Sequence, residues 1–304
     1  MRRGVGGVRY SKVSSIYHDQ ECALQARYGM RDRIEAMSQR LMWRKIEPAQ
    51  QAFFSRQSAL VLGAMDLRGR PWATVVAGAP GFIATLDGHT LNVGAMPAAG
   101  DPVRASLNSK ALVGGLGIDF DTRERHRFSG RGSVVDRAPP ALAVEIDLSY
   151  HNCPKYIQPQ SAPLANTVLA WRPPIELPAF DQRARELVAN ASTAFIASAS
   201  PEVTPYAARG VDVSHRGGAQ GFITITGERS LQVPDYSGNH MFNTLGNLQT
   251  YPWAGLLILD ASSGDALQIS GPARVELGLQ RGPLSFDTDR WIRVDAERIL
   301  LRAR

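Results

Sequence analysis

The strings GAPGFI, at Gly78–Ile83, and GAQGFI, at Gly218–Ile223, differ at one position and lie 140 residues apart. Other matches follow in the same order. Leu91-Asn92-Val93 returns as Leu231-Gln232-Val233, and Gly115-Leu116 with Ile118 as Gly255-Leu256 with Ile258. Ser129-Gly130 returns as Ser270-Gly271, and Pro71-Trp72-Ala73 pairs with Pro205-Tyr206-Ala207. One such coincidence means little, but five in order imply two copies of one fold.

Each copy opens on a helical segment with proline near its start, PAQQAFFSRQ (48–57) and PAFDQRARELVANA (178–191). Short apolar or alternating runs follow, separated by Gly, Pro and Asp turns. In the first copy they include ALVLGAM, WATVVAG and ALVGGLGIDF; in the second, TAFIASA, ARGVDVSH and WAGLLILD. Runs of this length and spacing indicate antiparallel barrels rather than βαβ units. A short helical insert is expected at about 100–110 and again at 237–250. The expected fold is mainly β with short helices: two tandem barrels plus an N-terminal helical extension. The expected divisions are residues 1–47 (extension, partly helical), 48–157 (first barrel), 158–178 (Pro-rich linker) and 179–304 (second barrel).

The 304 residues are 44% hydrophobic and 20% charged, ample for buried cores. The net charge of +6 is spread along the chain with no dense basic block, so a nucleic-acid surface has no support. Cys22 and Cys153 are far apart and form no disulfide framework. The six histidines show no metal-ligand spacing, and no metal is expected. The first fifteen residues carry positive charge without an apolar run behind it, and no stretch approaches a membrane span. The expectation is a cytoplasmic protein with neither membrane nor nucleic acid as partner.

The copies differ in an informative way. VDVSHRGGAQGFITI (211–225) reads as two strands around a Gly-Gly turn, carrying Ser214, His215 and Arg216 side by side. Pro205 to Gly221 takes six more residues than Pro71 to Gly81, which lengthens that hairpin. Downstream, PDYSGNHMFNTLGNL puts Asn239, Asn243 and Asn247 at i, i+4 and i+8 of a helix. A helix N-terminus with the small residues Ser237, Gly238 and Asn239 suits a phosphate. Arg216 and Arg209 would add charge-assisted hydrogen bonds. Asp101, at the matching place in the first copy, would repel a phosphate. The first copy therefore reads as having lost or reworked its site.

These strings together (DVSHRGGAQGF, PDYSGNHMFNTLGNL and WAGLLILD, with GAPGFI, GLGIDFDTRERHRFSG and HNCPKYIQ in the first copy) resemble the pyridoxamine 5′-phosphate oxidase-like family of FMN-binding split barrels, in its long tandem-barrel bacterial branch. The resemblance covers about residues 17–275. It implies split barrels and non-covalent FMN, usually held between two barrels. It implies that Ser214, His215 and Arg216 line the flavin and that Ser237, Asn239 and Asn243 lie near its phosphate or ribityl chain. Lys155 would reach the second barrel's flavin across an interface. The C-terminal DRWIRVDAERILLRAR does not show the basic, proline-containing motif that grips pyridoxamine phosphate in the authentic oxidases, so that substrate is not expected.

Blander readings stand beside these. Ser214 and His215 are neighbours on a strand and point to opposite faces, so a Ser–His nucleophile is not expected. TRERHRF (122–128) reads as a charged strand edge. Cys153 reads as a small residue before a proline-set turn. His215 could donate a hydrogen bond to the flavin and tune its potential. No catalytic acid or base stands out. The functional expectation is an FMN-dependent oxidoreductase passing hydride or electrons between a small-molecule donor, NAD(P)H being one candidate, and an acceptor. A non-catalytic flavin-binding, sensing or storage protein is the alternative. A homodimer is expected, with the flavin either within one chain or across two.

Overall fold

The computed structural model describes residues 15–108, 110–159, 164–169, 171–200, 210–260, 263–278 and 288–304. Within them the helices are α1 (Asp19–Arg27), α2 (Arg31–Leu41), α3 (Pro48–Arg56), α4 (Leu164–Leu169), α5 (Gln182–Asn190) and α6 (Asn243–Thr250). The first set of strands is β1 (Met42–Trp43), β2 (Ala59–Met65), β3 (Pro71–Ala77), β4 (Ile83–Ala84), β5 (Thr90–Val93), β6 (Ala111–Ile118), β7 (Arg125–Val135) and β8 (Ala141–His151). The second is β9 (Ile175–Leu177), β10 (Thr193–Ser200), β11 (Gly210–Gly217), β12 (Thr224–Ile225), β13 (Ser230–Pro234), β14 (Trp253–Leu259), β15 (Ala266–Leu277), β16 (Arg290–Asp295) and β17 (Arg298–Arg302).

The duplication is explicit in the topology. One sheet runs β3-β2-β6-β7-β8-β5-β4, and the other runs β11-β10-β14-β15-β16-β13-β12 in the same order, all pairings antiparallel. The repeated GAxGFI string marks the same corner in both. Gly78 and Gly218 donate to the carbonyls of Ser58 and Ser192, and Gly81 and Gly221 to those of Ser55 and Ala191. A Cβ on Gly78 would lie 2.7 Å from the Phe82 ring, and one on Gly218 would lie 2.8 Å from the Phe222 Cβ, so each glycine makes room for its phenylalanine. Gly81 and Gly221 have φ of +92° and +75°, a region glycine enters without steric cost. Two tandem split-barrel-like halves with short helices are the architecture.

Each half has its own core, built around Phe53, Phe54, Trp72 and Phe128 in the first and around Phe222, Leu187, Ile196 and Ile292 in the second. A third cluster joins them: Val61, Val75 and Leu116 of the first half pack with Phe195, Val213 and Leu257 of the second. Fully burying side chains of this size contributes about 1.5–3 kcal/mol each, so the halves form one body. Close backbone approach needs glycine here. A Cβ on Gly114 would lie 2.6 Å from the Val211 carbonyl oxygen, and one on Gly255 would collide with the Pro71 carbonyl.

Several expectations are corrected. The Gly217-Gly218 pair is not a hairpin turn: β11 pairs with β10, whereas β12 pairs with β13. The segment between β10 and β11, residues 201–209, lies outside the described residues, and with it Arg209 and the Pro205-Tyr206-Ala207 match. The insert at 100–110 holds only a single 3-10 turn, Ser106–Asn108. The second insert becomes helical only at Asn243, after Phe242 in the left-handed conformation. The 158–178 segment is not a bare linker, because it contains α4 and β9, and β9 pairs with β17 of the second sheet. The helix α5 starts after Asp181, whose carboxylate accepts the Ala184 N–H, rather than at Pro178.

The N-terminal segment spans both halves, with Ile34 of α2 clustered with Leu148 and Tyr150 of β8 and with Met241. The strand β1 pairs with β8, while α1 packs against α6, where a Cβ on Gly246 would sit 2.5 Å from Glu21 Cγ. Among the described residues no helix is long and apolar enough to cross a membrane.

Candidate functional site

The end of β11 brings Ser214, His215 and Arg216 to a cleft between the two halves. From the second half the lining includes Asp235, Tyr236, Asn239, Asn243 and Arg290. From the first half come Arg125, Arg127, Asn152, Lys155 and Tyr156. The cleft encloses about 740 Å³ of free space, its open mouth included. A single chain thus builds both walls.

Its lining carries five cationic side chains, Arg125, Arg127, Lys155, Arg216 and Arg290, against one carboxylate, Asp235. Asp235 holds two of them, accepting from Arg216 Nη1 at 2.7 Å and from Arg290 Nε at 2.8 Å. Arg127 pairs with Asp212 and lies 5.1 Å over the Tyr150 ring. Among the described residues Arg125, 8% exposed, has no carboxylate partner; its Nη1 lies 3.1 Å from His215 Nδ1. Burial, with Arg127 next, lowers the Arg125 guanidinium to about 10. It remains charged at neutral pH.

A guanidinium can only donate, so Nδ1 of His215 is the acceptor and Nε2 carries the ring proton. That Nε2–H is buried without a hydrogen-bond partner, as are Nε of Arg125, Nε of Arg127 and Nε of Arg216. His215 is flanked by Phe120 and Phe195, with ring centroids at 6.3 and 5.6 Å. Burial, then Arg125 and Arg216, holds its pKa well below the ordinary 6.5, so the imidazole is neutral. Ser214 makes separate contacts, to Asp212 Oδ2 and Thr244 Oγ1, each at 3.3 Å. No Ser–His pair forms.

The backbone is strained around this cleft. Of the four described non-glycine residues with positive φ, three line it: Tyr156 (+64°), His240 (+57°) and Phe242 (+61°). Such conformations cost about 1–3 kcal/mol each and concentrate at binding sites. Tyr156 stacks on Tyr236 at 5.1 Å, and its hydroxyl donates to the Ser237 carbonyl at 3.1 Å. Asn239 Nδ2 donates to Asn152 Oδ1 at 2.8 Å, a second bridge between the halves.

Of the residues singled out from the sequence, Lys155, Ser214, His215, Arg216, Asn239 and Asn243 converge on the cleft. Ser237 is exposed beside it and is not part of the lining. The three asparagines do not share one helical face toward a ligand, because Asn239 precedes the helix. Instead Asn243 donates to Glu21 at 2.6 Å, and Asn247 donates to Ser198 and faces His18 Nε2 at 3.0 Å. Their partners are the N-terminal extension and β10. Sequence reasoning missed Arg125 and Arg127. TRERHRF is not a solvated edge beyond Arg123: both arginines are buried, and they alternate on β7 with their side chains toward the second half. The only signal was that alternation, which a solvated edge shares.

In the first half the corresponding place is built differently: Asp101 borders an open hollow lined by Met96, Gly100, Arg104 and Pro140, and its carboxylate is tied down across the interface. Asp101 accepts from Thr74, from Gln268 Nε2 at 3.1 Å and from Arg302 Nη2 at 3.2 Å. All four side chains are buried. Two of them, Gln268 and Arg302, belong to the second half, so on this side an ion pair crosses between the halves where the other side keeps unpartnered donors.

No model of a known protein family and no characterised protein matches the sequence. Solved structures resemble parts of it. A variant of HupZ from Group A Streptococcus is 12% identical, with a TM-score of 0.31 over 40% of this chain and 98% of its own. A protein of Lactobacillus delbrueckii described as a candidate pyridoxamine 5′-phosphate oxidase is 15% identical, with a TM-score of 0.29 over 36% of this chain and 95% of its own. The heme storage protein HutZ of Vibrio cholerae is 15% identical, with a TM-score of 0.25 over 36% and 96%. Likenesses this slight carry no argument about function; the chemistry of the cleft has to supply it.

Proposed function

We propose that the cleft binds FMN without a covalent link and that the protein is an FMN-dependent oxidoreductase. One observation carries this reading: three residues that line a cleft between the halves, His215, Arg125 and Arg216, each keep a buried N–H donor without a hydrogen-bond partner among the described residues. Buried donors are rarely left unpaired, and a ligand rich in acceptors and negative charge removes the cost. A flavin phosphate and the carbonyl edge of its ring fit such a donor set.

Arg216 and Lys155, nearer the mouth, would hold the phosphate, with Asp235 fixing the Arg216 side chain. Ser214 and His215 would meet the ring, and Asn243 would stay in place through Glu21. Tyr156 and Tyr236 would shield one side of the mouth. When bound, FMN supplies hydride and single-electron transfer. His215, neutral with its proton on Nε2 and its Nδ1 engaged by Arg125, is not available as a general acid or base at neutral pH. This suits chemistry that the cofactor performs itself.

The alternative is a carrier that binds flavin without turnover. Heme, which HutZ stores, fits less well, because Nδ1 of His215 is taken up by Arg125 and Nε2 carries the ring proton, leaving iron no free lone pair. The test is titration of the purified protein with FMN and separately with hemin, followed by addition of NADH or NADPH in the absence of air. Saturable FMN binding with bleaching at 450 nm, roughly where flavins absorb, and recovery in air support the proposal. FMN binding inert to every donor supports the carrier, and binding of hemin alone overturns both.

A further inference from the structure

Within that reading, we infer that Arg125 is a positioning residue by which the first half sets the ligand chemistry of the second. It fixes His215 as an Nε2–H donor and places one uncompensated positive charge at the inner end of the cleft, selecting a ring that gains negative charge on reduction.

The geometry supports each part. Arg125 and His215 lie on facing strands of different halves, β7 and β11, and meet at 3.1 Å. The contact forces the tautomer, because the guanidinium has no acceptor. The neighbouring arginines are each matched by a carboxylate: Arg127 by Asp212, Arg216 and Arg290 by Asp235. Arg125 is matched by none among the described residues, and it is buried, so solvent screens its charge little. The imidazole sits between Phe120 and Phe195. A neutral donor in an apolar setting suits the ring of a flavin better than its phosphate dianion, which Arg216 and Lys155 accommodate nearer to water.

The experiment has two independent arms. The first uses ligand-free protein labelled with ¹⁵N-histidine, so it does not depend on FMN. The native chain should show the Nε2–H tautomer for His215, and Arg125→Met should lose that preference. The second arm measures dissociation constants for FMN and for riboflavin, and the potential of bound FMN by dithionite titration. Arg125→Met should weaken both ligands about tenfold, as loss of an interaction with a charged group does. It should also disfavour the reduced form about tenfold, a fall of about 30 mV in a two-electron potential. Arg125→Lys keeps the charge and should hold the potential near the native value, and it carries the test if the methionine variant does not fold.

An Nδ1–H tautomer in the native protein overturns the positioning role. A potential equal in native, lysine and methionine proteins overturns the charge role, and so does a loss seen with FMN but not with riboflavin. If native protein binds no flavin, the proposed function fails while the tautomer arm still reports on Arg125.

Discussion

The carbonyl oxygen of Tyr156 rests against the α-carbon of Gly217, so closely that no side chain fits at that position. Tyr156 follows the last strand of the first half, and Gly217 ends the strand that carries Ser214, His215 and Arg216. This contact seats one wall of the cleft on the other. Gly217→Ala must push residues 152–157 outward. The expected outcome is a loss of about 1–3 kcal/mol in stability, the usual range for overpacking, and weaker FMN binding. Urea denaturation and a flavin titration on the same sample check it; unchanged affinity would show that the wall is not needed for binding.

Arg216→Ala removes both a buried donor and half of the cation pair around Asp235. FMN should bind more weakly by about 1.5–3 kcal/mol, as for a lost charge-assisted bond. Riboflavin, which lacks the phosphate, should be much less affected. Comparing the two dissociation constants shows whether Arg216 meets the phosphate.

At the first half's counterpart, Asp101→Ala leaves the Arg302 guanidinium, 1% exposed, without its carboxylate. Removing one member of a buried pair costs about 3–5 kcal/mol. Asp101→Ala with Arg302→Met should be less destabilised than Asp101→Ala alone, because no bare charge remains. Chemical denaturation of the two proteins decides this.

Acid should destabilise the protein through its buried histidines. His215 and His126 are both held below 6.5, chiefly by burial, so the unfolded chain binds more protons than the native one as pH drops below about 6.5. Their contribution is complete above that pH and declines below it, by up to about 1.4 kcal/mol per pH unit for each group. Urea melts between pH 8 and 5 should show the decline, and His215→Gln should flatten it. An equal slope in native and variant proteins would mean that His215 is not held neutral.

The N-terminal helices carry a separate expectation. Asn247 joins His18 to Ser198 beneath α1, with both partners buried. Asn247→Ala should cost about 1–3 kcal/mol by stranding them. It should also speed amide exchange in residues 19–41, measured by hydrogen–deuterium exchange, before the sheets open.

The repeat made the architecture readable from the sequence. GAPGFI and GAQGFI encode a local event, a glycine in the left-handed region beside a phenylalanine packed on the core, and local events depend on few residues. The same string fixed the equivalence of strands and hence two halves of one topology. Ser214, His215 and Arg216 were also visible, because three polar groups interrupt an otherwise apolar strand. What the sequence left open was which faces meet. Arg125 and Arg127 have the alternation of any exposed edge, and only the docking of β7 toward β11 makes them an interior wall. Asn243 and Asn247 kept their helical spacing, but their partners, Glu21 and His18, come from more than 200 positions away in the chain. The chain by itself determined the fold of each half, since propensity and pattern act over short spans. The tertiary structure decided that one side gathers buried cationic donors around a cleft while the other pairs Asp101 with Arg302 across the halves, since charge compensation depends on groups that meet only when the halves pack.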